Sequence, residues 1–428
     1  MNLHLLRVCS LIPVLGVGPV AAAATPPSGA AVAPTGQTSL PGSAYQIYVG
    51  STHAHTQYTW SHGAQFLNAA AEPGSGKKEK SGLRISPEGA QSPPENLQPR
   101  PDWQKYQGPP SAHFALAKSS GYDFYVTSDH SQEAPLNPVS PTNPAWVASQ
   151  REAIAATDSR FVGIAGFEFS ENNGPGGTGH LNVINSAEYL NALAPGIDLP
   201  YLYRWLKTAR PNGDGPIVGS FNHPSASQYG NWADRDPAVT DIITLLEVIN
   251  SNNKIHYEAF LAALAKGWKV SPVCGGDNHG LGGITQHTSR TFVLATAKTK
   301  AAILDAMHHR RTYASLDGHL QCRYTVNGAI MGTTLDRPAV FEFDIWINHP
   351  DATKPGDQIT KIDIVKDDGV VVEEYRPTPA SLVTWRPTIK DSASHFFFVR
   401  VWNAGGGDAP KGDPQKPVAW LAPVWTGR

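Results

Sequence analysis

A chain of 428 residues with 40% hydrophobic content has enough apolar sequence to bury the cores of one large and one small domain. Its formal charge of -2 excludes a strongly basic or acidic surface, so nothing points to a nucleic-acid or membrane-surface partner. Any charge selectivity must be local.

Residues 1–24 read as a secretory signal, with Arg7 in a short basic region, an apolar run from Val8 to Val20 and small residues Ala21 to Ala24 for cleavage. The expected location is therefore periplasmic or secreted. No later run reaches the roughly 18 apolar residues that a membrane span needs. Residues 25–43, rich in Ala, Pro, Gly, Ser and Thr, read as a flexible leader. After the signal only Cys274 and Cys322 remain, which leaves open one disulfide or a buried free thiol at the end of an apolar strand.

Order begins near Tyr45. The first strand runs into Val49-Gly50-Ser51-Thr52-His53-Ala54-His55, where alternation puts His53 and His55 on one side and lets them share a metal ion. The stretch 64–110, with Lys77-Lys78-Glu79-Lys80 and many Pro and Gly, is too long for an ordinary connection and reads as disordered or as a lid.

From Ser111 the pattern is regular. A helical segment ends near Gly121, and the apolar strand from Asp123 delivers Ser128-Asp129-His130. A helix from Trp146 to Ala156 precedes the strand Phe161 to Phe169, which carries Glu168. His180 starts the run Leu181-Asn182-Val183-Ile184. A helix around Tyr201 to Arg210 precedes the strand that delivers Asn222-His223-Pro224. The apolar run Ile242 to Ile249 and the helix His256 to Lys266 lead to Lys269–Cys274 and then Gly275-Gly276-Asp277-Asn278-His279. Short apolar strands alternating with helical patterns argue for an α/β fold with a parallel sheet, and the strand count suits a barrel. Barrels and open α/β folds place their sites at strand C-termini, where every cluster named falls except His180, at a strand start.

This order, His-x-His, Ser-Asp-His, Glu, Gly-His, Asn-His-Pro and Asp-x-His, resembles the PHP superfamily, named for its polymerase and histidinol phosphatase members. It looks closest to a secreted branch with a small C-terminal domain. The resemblance runs from about Tyr45 to Thr312 and implies a distorted (β/α)7 barrel with a two- or three-metal site, in most cases a phosphoesterase. Carried over by residue, it implies that His53, His55, Glu168 and Asp277 surround one metal, and that Glu168 bridges to a second held by His180 and His223. His130 and His279 would hold a third together with a residue after the first motif. There the family often shows Asp or His; this chain has Ser61, followed by His62 as the substitute ligand. Asp129 reads either as a partner of a ligand imidazole or as a strand-end residue bonding the backbone.

Imidazole-rich ligation suits Zn, Mn or Fe, whereas Mg and Ca prefer oxygen. Three divalent ions facing only Glu168 and Asp277 would carry a formal charge of about +4, which calls for a small anionic substrate such as a phosphate ester and attack by metal-activated water. No nucleophile elbow and no phosphate-binding Gly-rich loop is present. Arg290 can fork a phosphate or brace the start of its own strand, and His287 can serve as proton donor to the leaving group.

A helix from Lys298 to Arg310 closes the barrel, which spans 44–312. From 313 to 428 the pattern becomes alternating strands with an Asp367-Asp368-Gly369 turn, expected to form a small β-sandwich-like domain with no second ligand cluster. The function expected is a secreted metal-dependent phosphoesterase. The alternatives are hydrolysis of a sulfate ester, lactone or amide with the same metals, and a non-catalytic metal- or ligand-binding protein.

Overall fold

The strand Val162–Ser170 is buried along its whole length, on both faces. That is the signature of a strand covered by helices, and the sequence Val-Gly-Ile-Ala-Gly-Phe-Glu-Phe-Ser breaks its apolar run with one carboxylate. In the computed structural model of the protein, which describes residues 42–61, 84–93, 101–170, 177–351, 354–407 and 413–427, this strand lies mid-sheet in a mixed α/β architecture.

The elements that position the site are β1 (Gln46–Ser51), α1 (Pro110–Ser119), β2 (Phe124–His130), α2 (Pro144–Ala156), β3 (Val162–Ser170), β4 (His180–Ile184), α3 (Leu199–Leu206), β5 (Val218–Asn222), β6 (Ile243–Asn250), α4 (Tyr257–Ala265), β7 (Ser271–Cys274), β8 (Arg290–Ala295), α5 (Lys300–His308) and β9 (Thr312–Ser315). Helix starts follow local chemistry. Asn143 accepts from the amides of Ala145 and Trp146 ahead of α2, with Pro144 in the first turn, and Asp198 does the same for Tyr201 in α3.

The spatial order is β7-β6-β5-β4-β3-β2-β1-β8-β9. The pairs β1/β2, β2/β3, β5/β6 and β6/β7 are parallel, but β4 runs antiparallel to both β3 and β5. The sheet is parallel-rich, as expected from the alternation of strands and helices, and departs from that expectation at β4 and at the antiparallel pair β1/β8. The connection 171–179 is shorter than the dozen or more residues a parallel crossover requires, so β4 has to return alongside β3. The reversal also explains why His180 opens its strand: it pairs with Ser170 at the end of β3 and with Asn222 at the end of β5. At the other margin β7 meets β8 and β9 through side chains, with Thr291 Oγ1 accepting from the Cys274 amide at 2.7 Å and Thr312 Oγ1 donating to the Pro272 carbonyl at 3.0 Å.

Beyond β9 come β10 (Gln321–Val326), β11 (Val340–Asn348), β12 (Ile359–Lys366), β13 (Val371–Tyr375), β14 (Leu382–Trp385), β15 (Phe396–Asn403), β16 (Ala419–Leu421) and β17 (Val424–Trp425). The order β10-β11-β14 makes a second sheet, while β16, β15, β12 and β13 extend the first one past β9. Thr312–Ser315 thus straddles the 312/313 boundary drawn from sequence and pairs with β8 on one side and β16 on the other. Tyr324 and Phe343 from one sheet share a core with Ile362, Phe397 and Val399 from the other. Full burial of aromatic side chains of this size contributes on the order of 2 to 3 kcal/mol each. A separate aromatic cluster of Phe221, Tyr229, Trp232 and Trp268 backs β5.

Cys274 and Cys322 are both buried free thiols, which settles the open choice against a disulfide. The proposed signal, nearly all of the leader and His62 lie outside the described residues. Of the stretch 64–110, Arg84–Ile85 and Gln91–Ser92 pair as a short hairpin, and Gln91 joins the Gln132 carbonyl through its amide at 2.7 Å. No helix among the described residues is long and apolar enough to cross a membrane.

Candidate metal centre

Glu168, the lone carboxylate of β3, is fully buried and ringed by five imidazoles. Its Oε1 lies 3.2 Å from His180 Nδ1 and 3.4 Å from Nε2 of both His53 and His223; its Oε2 lies 2.9 Å from His130 Nε2 and 3.6 Å from His55 Nε2. The five histidines come from four different parts of the fold. His53 and His55 follow β1, His130 ends β2, His180 begins the reversed β4, and His223 follows β5. Asn222 donates to Glu168 Oε1 at 2.9 Å.

Asp277 and His279 close the ring from the loop after β7. Asp277 Oδ1 is 3.0 Å from His55 Nε2 and 3.6 Å from His53 Nε2, and the His279 and His55 rings are 4.1 Å apart. The backbones of Asp277 (φ 49°) and His223 (φ 30°) both lie in the left-handed region, a conformation costing on the order of 1 to 3 kcal/mol for a non-glycine residue that the surrounding structure must impose. Nitrogen and oxygen atoms gather into three overlapping groups, His53/His55/Glu168, His130/Glu168/His180 and His55/His130/His279, each with its ligand atoms within 4.8 Å of one another. His130 therefore stands with Glu168 and His180 as well as with His279, and the last group brings three imidazoles together among the described residues, which do not include His62.

Two carboxylates that the sequence reading missed hold these rings. Glu247, inside the apolar strand β6, accepts from His53 Nδ1 at 2.8 Å through Oε1; its Oε2 takes the His223 amide at 2.7 Å and Asn250 Nδ2 at 2.8 Å. Glu133 lies 3.4 Å from His130 Nδ1 and hydrogen-bonds Ser61, whose hydroxyl is 3.1 Å from that nitrogen. Ser61 thus backs His130. The signal for Glu247 was available, since an acid in the middle of Ile-Thr-Leu-Leu-Glu-Val-Ile-Asn must find a partner when buried. Asp129 bonds the loop after His55, accepting from the Thr56 amide at 2.7 Å and from the hydroxyls of Thr56 and Thr59, and approaches the imidazole cluster through Thr59, 3.4 Å from His55 Nδ1.

The electrostatics are those of buried carboxylates paired with imidazoles. Burial would raise the Glu168 carboxyl, but His180 and His53 beside it hold it well below the usual carboxylate range. Asp277 is likewise raised by burial and brought well below its ordinary value by His53 and His55. Burial opposes charge on His53, yet Glu168, Glu247 and Asp277 push it well above 6.5; for His130, against the same burial, Glu133 and Glu168 carry it to about 10. His55 is driven well below 6.5 by burial and by the neighbouring His279 and His130. The residues fit divalent ions on the chemistry of the donors. With the His53 Nδ1 proton committed to Glu247, its Nε2 faces His55 Nε2 at 3.0 Å with Glu168 and Asp277 alongside, a convergence of lone pairs that only shared protons or a metal ion can satisfy.

Arg290 stacks its guanidinium on the Tyr122 ring, 4.1 Å from the centroid, and donates to the carbonyls of His287 and Ser289. His287 is half-buried, and burial followed by the charge of Arg290 lowers its pKa. Next to His223 opens a cleft of about 670 Å³ lined by Gln228, Lys254, His256, Tyr257 and Glu258 among others.

No family model matches the chain, and no curated protein sequence matches it. Among solved structures it is similar to a two-domain protein containing a predicted PHP-like metal-dependent phosphoesterase from Bacteroides vulgatus, with 17% identity over 89% of this chain and 96% of that one and a TM-score of 0.42.

Proposed function

We propose that the chain is a metal-dependent hydrolase of the PHP type, acting outside the cytoplasm as a phosphoesterase. The observation that carries this is the ring of five imidazoles within 3.6 Å of one buried carboxylate, at the ends of the sheet strands and beside an open cleft. A structural metal site is normally closed, whereas this one adjoins space for a substrate. The strand order β1 to β7, with β7 meeting β8 and β9 through Thr291 and Thr312, supports a distorted seven-stranded barrel, and the shared core of β10 to β15 supports a β-sandwich-like second domain.

In this reading His53, His55, Glu168 and Asp277, with His130, His180, His223 and His279, hold two or three ions of Zn, Mn or Fe. When bound, the ions supply Lewis acidity and an activated water for hydrolysis. Glu247 and Glu133 fix the tautomers of His53 and His130, and Asn222 holds the Glu168 carboxylate in place. Lys254 on the cleft wall provides a cation for an anionic substrate. His287 and Arg290 are assigned to proton donation and to bracing the loop that follows Asp277.

The second reading, hydrolysis of a sulfate ester, lactone or amide, is kept by the charge balance. Asp129, Glu133 and Glu247 are buried around the cluster in addition to Glu168 and Asp277, so three divalent ions leave an excess of only about +1. That excess still favours an anion, but far less than two carboxylates would.

The test is elemental analysis of the purified protein alongside hydrolysis of a phosphomonoester and a phosphodiester chromogen. Two or three equivalents of metal at the Glu168 cluster, with phosphate release abolished and metal content reduced in Glu168→Ala, are expected. Full metal with no turnover of either ester overturns the phosphoesterase reading in favour of the second.

A further inference from the structure

Three polar side chains in the C-terminal half come together although the sequence separates them. Asp317 lies just after β9, His349 just after β11, and Asp357 in the turn before β12; all three are buried, and one ligand atom from each lies within 4.8 Å of the others. Asp317 Oδ2 is 3.1 Å from His349 Nε2 and accepts from Asn403 Nδ2 at 3.1 Å, while Oδ1 accepts from the His319 amide at 3.0 Å. Asp357 is different. Its residue is only 8% exposed, and among the described residues its carboxylate makes no hydrogen bond or ion pair. Neither Asp317 nor Asp357 meets a lysine or arginine among the described residues.

Two buried carboxylates this close repel each other, and a single imidazolium balances only one of them. A divalent cation balances both and leaves His349 neutral, as a ligand must be. A tetrahedral shell with bonds of about 2.1 Å sets ligand atoms roughly 3.4 Å apart, close to the His349–Asp317 separation and reached by Asp357 with a side-chain adjustment of at most about 1.4 Å. The supporting frame is in place: the turn carrying Asp357 is fastened to the end of β15 by Gly405 N to Gly356 O at 2.7 Å and Ala404 N to Gln358 O at 2.9 Å, and Asn403 on that same segment holds Asp317.

We propose that Asp317, His349 and Asp357 form a divalent-cation site, for Zn2+ or Mn2+, that shares no ligand with the Glu168 cluster. One nitrogen and two carboxylates suit those ions better than Ca2+ or Mg2+. The ligands come from the ends of strands in both sheets, so the ion cross-links the two layers of the C-terminal half.

The experiment uses the full chain saturated with Zn2+ and freed of excess. Crystals of the unaltered protein measured at the zinc edge should show an anomalous peak bounded by His349 Nε2 and the two carboxylates, in addition to any at the Glu168 cluster. Asp357→Asn should lower the zinc content by one equivalent, keep the peaks at the Glu168 cluster and lower the Tm of the zinc-loaded protein. Absence of the peak at His349 in the unaltered protein overturns the proposal, whatever the occupancy at Glu168, and so does an unchanged zinc count in a folded Asp357→Asn protein.

Discussion

Oε1 of Glu247 lies 2.8 Å from Nδ1 of His53, with both side chains fully buried. That contact commits the Nδ1 proton and presents Nε2 to the cluster, while the other oxygen of the same carboxylate holds the backbone of His223. One residue on β6 therefore positions candidate ligands that arrive from β1 and β5.

Glu247→Gln keeps the volume but loses the charge and one acceptor. Partners of this kind are worth 10- to 100-fold in metal affinity, so chelator competition should show a loss of that size. Circular dichroism should show the fold retained. Affinity within twofold of the unaltered protein would mean that Glu247 does not orient His53.

Gly275 approaches Glu247 so closely that an added Cβ would stand 1.8 Å from Oε1 and 3.0 Å from His53 Cβ. Gly275→Ala must push Glu247 off His53, and it should reproduce the weakened metal binding of Glu247→Gln. Full metal content at limiting metal in Gly275→Ala would count against that packing.

Metal binding should release protons. His53 and His130 are held charged by the carboxylates around them, His130 up to about 10, and each must give up a proton to bind an ion. Apparent affinity should rise with pH across the neutral range. Calorimetric titration at pH 7 in buffers of different ionisation enthalpy should count more than one proton released per protein; none released would exclude both as ligands.

His113 on α1 predicts acid lability. Its Nε2 donates to the Gln107 carbonyl at 2.6 Å, and the Gln107 amide in turn ties down the carbonyls of Thr56 and Thr59 beside His55. Burial lowers its pKa from 6.5 to about 4. Between those values the unfolded chain binds the proton and the folded one does not, so stability falls as pH drops from 6.5 towards 4, by about 3 kcal/mol in total. Denaturant titrations of the metal-free protein over that range should show the slope, and His113→Gln should flatten it.

The motif positions were legible in the sequence because their cause is local. A His-x-His at a strand end, an acid in an apolar strand and an Asp-x-His after a Gly-Gly pair are short-range patterns, and alternation or a strand terminus dictates where such side chains stand. The helices read from Trp146 and around Tyr201 begin two residues earlier, at Pro144 and Leu199, where Asn143 and Asp198 cap them next to a proline. The direction of β4 was not legible, because an apolar run reads the same in either direction and only the short connection to β3 forces the return. His180 looked misplaced for that reason alone.

Partners that meet across long separations lay beyond the sequence. His53 and Glu247 are 194 residues apart, and although an acid inside an apolar strand marks Glu247 as needing a partner, no spacing rule selects His53 as that partner. The same holds for Asp317, His349 and Asp357, which looked like unrelated loop residues until strands of two sheets ended side by side. Local patterning thus determined which residues are candidate ligands and where each strand delivers them. Tertiary packing alone decided which of them converge and which buried carboxylates stand behind them, since desolvated charges must find partners through space and chain distance does not constrain that choice.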